Sequence, residues 1–387
     1  MGKQHDHQIR EPYERQSGDA NRIRLSPRTV SRFAIAFLVG IIVFYALFMI
    51  PVPFYIYQPG SAEDVGPMVS VKQEDPPEKG QFLLTTVGAF EANVISLLFA
   101  QFNGNMEIRK KTEVLQKGES MHDYSQRQEI VMLTSQSDAI QAAYKKAGVP
   151  YRIQSDGVVI MRTIPGMPAA SMLEAGDAIE AVDGKPVKKL TDLSEYLQTK
   201  KEGDTVKLTY KRGDVSASAE LPLAVLSNDG GKKRVGIGVE TGELRSIKAE
   251  QEGQQVTVHT SDIGGPSAGL MFSLEIMDRL SAEDLTKGYR IAGTGTIEPE
   301  KGKVGVIGGI RHKVVAADRE GAEIFFAPKD YQYPNGGPVI PNASDASDQA
   351  KKIKSKMKVV SVDTIDDALD YLAKLPVKQA ASPASTK

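Results

Sequence analysis

From Phe33 to Ile50 the chain reads FAIAFLVGIIVFYALFMI, 18 residues without a charge. As a helix this run is roughly 27 Å long, close to the hydrocarbon thickness of a bilayer. Arg22, Arg24, Arg28 and Arg32 precede it, whereas Pro51, Pro53 and Tyr55 and then Glu63 and Asp64 follow. That asymmetry of basic residues places the N-terminus in the cytoplasm and the bulk of the chain outside. A cleaved signal peptide is the rival reading. Its apolar region is usually only ~7–15 residues, with a small-residue cleavage site close behind. Here the first such candidate, Gly60-Ser61-Ala62, lies beyond a proline-rich stretch. The expectation is a cytoplasmic tail over 1–32, an uncleaved single-pass anchor over 33–55 and an extracytoplasmic remainder at the cell membrane.

That remainder has room for two domains or three. Lys and Arg number 48 against 49 Asp and Glu, so no basic excess exists to neutralise phosphates and nucleic acid is not expected as a partner. Cys is absent, which excludes disulfides, zinc–thiolate sites and cysteine nucleophiles. Of five His, His5 and His7 lie in the polar tail, and no metal or other cofactor is expected. No Gly-x4-Gly-Lys-Ser/Thr loop occurs, so ATP is not expected either.

Three stretches of globular character follow the anchor. In 72–150, GQFLLTTV reads as a strand and SQSDAIQAAYKKAG as a helix stopped by Gly148 and Pro150. In 151–226, GVVIMRTI is a strand, a second strand covers 178–182, and Asp183-Gly184 is a tight turn. Leu190, Leu193 and Leu197 share one helical face. Val206, Leu208 and Tyr210 alternate ahead of an Arg212-Gly213-Asp214 hairpin turn. LSNDGGKK (226–233) has the composition of a linker. In 234–375 strands and helices alternate again, and 376–387 has the composition of a frayed tail. The middle unit thus reads as an insertion between two parts of one larger α/β unit.

SDIGGPSAGLMFSLEI (261–276) carries the most chemistry. Ser267 opens a helix and suits an N-cap. Yet Gly264, Gly265 and Gly269 clear side chains from its flanks, and the following helix would aim its positive end where an acyl-transfer oxyanion develops. Ser267 is therefore expected both to cap its helix and to attack. A serine nucleophile needs a base. His259 alternates with Val256 and Val258 and reads as a strand-face residue; His312 neighbours a lysine; neither has a readable orienting carboxylate. A lysine is the other option, but with a pKa near 10.4 only about one in 2,500 is neutral at pH 7. Burial must lower that value by roughly three units, at about 4 kcal/mol. Lys313, preceded by Gly308, Gly309 and Ile310 and followed by Val314, Val315, Ala316 and Ala317, has the surroundings for it. Lys301, Lys303 and Lys329 flank turns.

GMPAASMLEAGDAIEAVDGKPV resembles the PDZ domains that accompany bacterial proteases. GGPSAG, then AGTGTI, then GKVGVIGGIRHK resembles the proteolytic domain of Lon proteases, which use a Ser-Lys dyad. Together with the anchor, the order is similar to that of membrane-anchored, PDZ-containing Lon-type serine proteases of bacteria. The resemblance implies an α/β (α+β) Lon-type domain with an inserted β-rich PDZ-like domain, preceded by one transmembrane helix. It implies Ser267 as nucleophile, Lys313 as base and Thr294 as the residue that holds the lysine, with Gly265 and Gly295 in support. It also implies peptide docking by strand addition along Gly157, Val158, Val159 and Ile160. The implied activity is ATP-independent endopeptidase cleavage of secreted or membrane-associated peptides and proteins. A homo-oligomer is open, since Lon-type domains often form rings. Two positions depart from the family: Gly264 stands where an acidic residue is common and Thr296 where a glutamate is common. They support the alternative, a non-catalytic membrane-tethered PDZ chaperone or scaffold on a protease fold. Whether the PDZ-like unit binds or gates stays open.

Overall fold

A computed structural model describes residues 27–72, 80–229, 232–260 and 263–378. Most of the expected cytoplasmic tail and the last nine residues lie outside the described residues. The apolar run forms helix α1 (Pro27–Phe48), which buries none of its residues. Its most apolar window has a mean hydropathy of 2.2, so it is long and apolar enough to cross a membrane.

The chain turns at once into β1 (Pro51–Asp64), whereas the sequence placed 51–55 in the anchor and began the globular part at 72. This strand is hard to read because Pro51, Pro53 and Pro59 cannot donate to a ladder. The structure accommodates them where the pairing is broken, with register shifts between Pro51 and Tyr55 and between Pro59 and Ala62. There follow β2 (Gln81–Asn93), α2 (Val94–Phe102), β3 (Glu107–Lys110) and α3 (Met121–Ala147). Helix α3 is twice the length expected. Ser120 caps it by accepting the Asp123 N–H, and Gly148 ends it in the left-handed conformation at φ 70°.

The middle unit contains β4 (Tyr151–Thr163), β5 (Ala178–Val182), α4 (Leu190–Gln198), β6 (Thr205–Arg212) and β7 (Val215–Pro222). Asp183 and Gly184 turn with φ of 47° and 76°, the positive pair that a tight hairpin turn requires. Ile160, Ile179, Leu193, Val206 and Leu208 form a core of their own. Asp177, buried, accepts from Arg212 Nε and Nη2 at 2.7 Å each, a bidentate pair closing the turn before β5. The expected linker is instead a hairpin, with Ala224–Asp229 antiparallel to Lys232–Gly236. Strand β8 (Val239–Ala249) then pairs with β4 from end to end.

The remaining elements are α5 (Gly269–Leu280), β9 (Arg290–Gly293), β10 (Thr296–Glu298), β11 (Lys303–Gly305), α6 (Ile310–Arg319), β12 (Ile324–Pro328), α7 (Asn342–Lys352), β13 (Lys358–Val362) and α8 (Ile365–Ala373). The main sheet has the order β13–β12–β9–β2–β1–β3. From β13 to β2 it is parallel, and β1 runs antiparallel to both neighbours. Alternation divides its two faces. Phe82, Leu84, Ile291, Ile324 and Phe326 pack against α5, α3 and α8; Leu83, Ala292, Phe325 and Ala327 pack against α6 and α7. Each fully buried Leu, Ile or Phe contributes about 1.5–3 kcal/mol. The result is the expected mixed α/β layering, with strands on both sides of the insertion contributing to the molecule's main sheet.

Candidate active site

The parallel strands end at one rim, where α/β sheets expose backbone for chemistry. Thr85 follows Leu84 there, and Thr294 and Gly295 follow β9. Ser267 lies in a single 3-10 turn, Pro266–Ala268, that leads into α5. Three neighbours hold that turn by its backbone. Ser135 of α3 donates to the Pro266 carbonyl at 2.9 Å. The Gly265 N–H donates to the Gln128 carbonyl, also at 2.9 Å, and the Gly295 N–H to the Ser267 carbonyl at 2.8 Å. Gly265 stands at φ 91°, a conformation that glycine tolerates best. Gly295 leaves no room for a side chain: a Cβ there would stand 2.5 Å from Val304 Cγ1.

Ser267 does not cap α5. No side chain caps that helix, and the serine hydroxyl turns to a different partner. Lys313 Nζ, from α6, lies 2.9 Å from Ser267 Oγ and donates to the Thr85 carbonyl at 2.5 Å. Lys313 is 4 % exposed. No carboxylate pairs with it among the described residues, and burial alone lowers its pKa to about 7. Gly309, left-handed at φ 70°, starts the helix that carries it. His312 is buried on the same helix, with Nε2 3.4 Å from Glu107 Oε2 of β3.

Thr294 takes a different part from the one the resemblance implied. Its hydroxyl donates to the Ser267 carbonyl at 3.0 Å, and its N–H to the Phe326 carbonyl at 3.1 Å. It thus tethers the serine's backbone, and the amine of Lys313 is held by Thr85. A backbone carbonyl carries no residue signature, so Thr85 had no sequence signal. Gly264 packs on α3, where a Cβ would stand 2.9 Å from Gln128 Cβ. An acidic side chain at this position would need the helix to shift.

A cavity of about 1090 Å³ opens over the pair, lined by Tyr57 and Val87 of the main sheet, Leu133 of α3, and Val159 and Leu244 of the β4–β8 ribbon. The expected peptide edge at Gly157, Val158, Val159 and Ile160 is not free. Strand β5 pairs with it on one side. Strand β8 pairs with it on the other, Leu244, Glu243, Gly242 and Thr241 lying opposite those four residues in order. The Glu243 carboxylate accepts the Leu190 N–H at the start of α4, at 3.0 Å. The chain's own strand therefore lies between β4 and α4, and Val159 contributes to the wall of the cavity.

Residues 144–223 match the family model of the PDZ domain, and 241–374 that of the Lon protease (S16) C-terminal proteolytic domain. Among curated relatives, the Lon protease of Malacoplasma penetrans is 32% identical over 28% of this chain and 12% of its own length. That of Trichlorobacter lovleyi is 33% identical over 32% of this chain and 14% of its own. The chain thus spans only about an eighth of the relatives it matches. A solved PDZ domain of an SdrC-like protein from Listeria monocytogenes is 37% identical, covers 22% of this chain and 87% of that one, and has a TM-score of 0.20. With the Ser-Lys contact on the rim of the main sheet and the inserted β-rich unit beside it, the chain carries a Lon-type proteolytic domain and a PDZ domain.

Proposed function

We propose that this protein is a serine endopeptidase with Ser267 as nucleophile and Lys313 as general base. The contact of 2.9 Å between Ser267 Oγ and an amine buried without a counter-charge carries this reading. With the pKa brought to about 7, about half of the amines are neutral at pH 7, against about one in 2,500 for an ordinary lysine. A neutral amine has two N–H bonds and one lone pair. One N–H donates to the Thr85 carbonyl, and the lone pair takes the Ser267 proton as Oγ bonds to the scissile carbonyl carbon. Backbone N–H groups at the start of α5 receive the oxyanion; Pro266 has none to offer. As the tetrahedral adduct collapses, the Lys313 ammonium returns its proton to the leaving amine, giving an acyl-enzyme. Water, deprotonated by the same lysine, then hydrolyses the ester.

Helix α1 serves as an uncleaved anchor in this reading, with the cytoplasm on its arginine-rich side and the proteolytic domain outside the cell. In this reading the enzyme works without ATP, which the lack of a phosphate loop in these 387 residues supports, and its substrates are flexible segments of secreted or membrane-associated proteins, or short peptides. The PDZ domain acts through the cavity wall that it shares with the proteolytic domain, selecting what enters; its β4 edge is already filled by β8.

The test compares new protein N-termini in the membrane and extracellular fractions of cells carrying the wild type or Ser267→Ala, by terminus-labelling mass spectrometry. Termini that vanish with the substitution, outside the membrane, support the reading and name the substrate. Identical termini from a folded, equally abundant variant would favour a non-catalytic PDZ scaffold.

A further inference from the structure

Helix α2 has an apolar face that the catalytic reading does not use. It holds no charged residue. One side, through Leu97 and Ala100, packs on Ile56 of β1 and Ile108 of β3. The other side presents Leu98, Phe99 and Phe102 at 50 %, 60 % and 88 % exposure. Positions 98 and 102 are one helical turn apart and 99 lies beside them, so the three form a single patch. Water is a poor solvent for such a face.

Its position says what covers it. Helix α2 packs against the C-terminal end of α1, and Asn93, its N-cap, donates from Nδ2 to the Phe48 carbonyl at 2.8 Å. Phe48 is the last residue of the apolar helix, so α2 starts where α1 leaves the bilayer and runs on for roughly 13 Å. At its far end Gly104 lies beside the Lys352 ammonium, and Lys352 is exposed. Exposed phenylalanines on a helix that ends beside an exposed lysine are the pattern of a helix lying in a lipid interface with anionic headgroups.

We propose that α2 is an interfacial membrane-docking helix. Leu98, Phe99 and Phe102 enter the headgroup–acyl boundary of the bilayer that α1 crosses, and Lys352 beside Gly104 faces anionic headgroups. This rests on α1 being a retained anchor. The docking holds β1 and β3, and with them the cavity residues Tyr57 and Arg109, close to the membrane surface, where substrates emerging from a bilayer are within reach.

The chain has no Trp, so single tryptophans report their own surroundings. Full-length Phe99→Trp, Phe102→Trp, Phe37→Trp (within α1) and Val215→Trp (on the exposed PDZ hairpin) are reconstituted in phosphatidylglycerol–phosphatidylethanolamine vesicles, with or without bromine on the acyl chains. Bromolipid is expected to quench Phe99→Trp and Phe102→Trp by a fraction comparable to Phe37→Trp, and to leave Val215→Trp unchanged. Quenching of Phe37→Trp alone would overturn the proposal and leave the anchor standing. Emission at position 102 that is blue-shifted yet unquenched would also overturn it, since protein, such as a second copy of the chain, would then cover the patch. An unquenched Phe37→Trp would remove the anchor and the docking together.

Discussion

The Thr85 carbonyl accepts from Lys313 Nζ at 2.5 Å, and this contact decides which way the amine presents itself to Ser267. A carbonyl dipole favours the ammonium form, yet burial outweighs it and brings the pKa to about 7. Activity should follow this ionisation. The value of kcat/KM is expected to rise with pH as Lys313 loses its proton around pH 7, and to level off above. Lys313→Arg keeps a buried cation that cannot deprotonate, so kcat is expected to fall by on the order of 1,000-fold or more. A rate profile flat from acid to neutral pH, or an active arginine variant, would exclude Lys313 as the base.

The same burial has a cost to the fold. Folding lowers the Lys313 pKa from 10.5 to about 7. Between those values the unfolded chain binds more protons, so stability rises with pH across that window. The penalty is complete below pH 7 and gone above the unfolded value; a shift of this size corresponds to about 5 kcal/mol. Lys313→Met removes the ionisation. Its stability relative to the wild type, measured by denaturant unfolding, is therefore expected to be most favourable near neutral pH and to decline by a few kcal/mol toward about pH 10. Loss of the bond to Thr85 offsets the variant by the same amount at every pH and leaves that slope intact. A difference independent of pH would mean that Lys313 titrates normally.

Thr294 offers a sharper separation of roles. Its hydroxyl bonds to the Ser267 carbonyl, which also accepts the Gly295 N–H. Thr294→Val therefore leaves that carbonyl one partner, at about 1 kcal/mol. We expect kcat to fall about tenfold or less, KM to change little, and Thr294→Ser to restore the rate. The midpoint of the pH profile should stay in place, because the hydroxyl does not reach the lysine. A midpoint shifted by the valine variant would show that Thr294 holds Lys313 after all.

What the sequence revealed of this site, and what it hid, follows from which atoms carry the work. Ser267, Lys313, Gly265 and Gly295 stand out because a hydroxyl, an amine and glycines at strained or crowded positions each need a particular residue type. The contacts of Thr85 and Gln128 run through backbone carbonyls, which any residue could supply. Ser135 uses its hydroxyl, but mid-helix it looks like any polar surface position. In the fold, Phe82, Leu83 and Leu84 read as a buried strand because both faces of the sheet are covered. Strand β1 was hidden by prolines that occupy breaks in its own ladder. The partner of strand β8 depends on long-range pairing that no local pattern encodes.

That pairing makes a prediction about the PDZ domain. A free binding edge at Gly157–Ile160 would leave amides exchanging quickly with solvent until a peptide added to them. Here β4 has a strand on both sides. Its Ile160 N–H donates to the Asp177 carbonyl at 2.8 Å, while Thr241 to Leu244 of β8 cover the side that a peptide would take. Hydrogen exchange of the intact protein is therefore expected to be slow at 158–160 and at 241–244 without any peptide. Excess unstructured peptide should leave both segments unchanged, while protecting amides around the cavity that Val159 and Leu244 line. If instead 158–160 exchanged quickly and slowed on addition of peptide, β8 would be a displaceable strand and the PDZ domain a docking site in its own right.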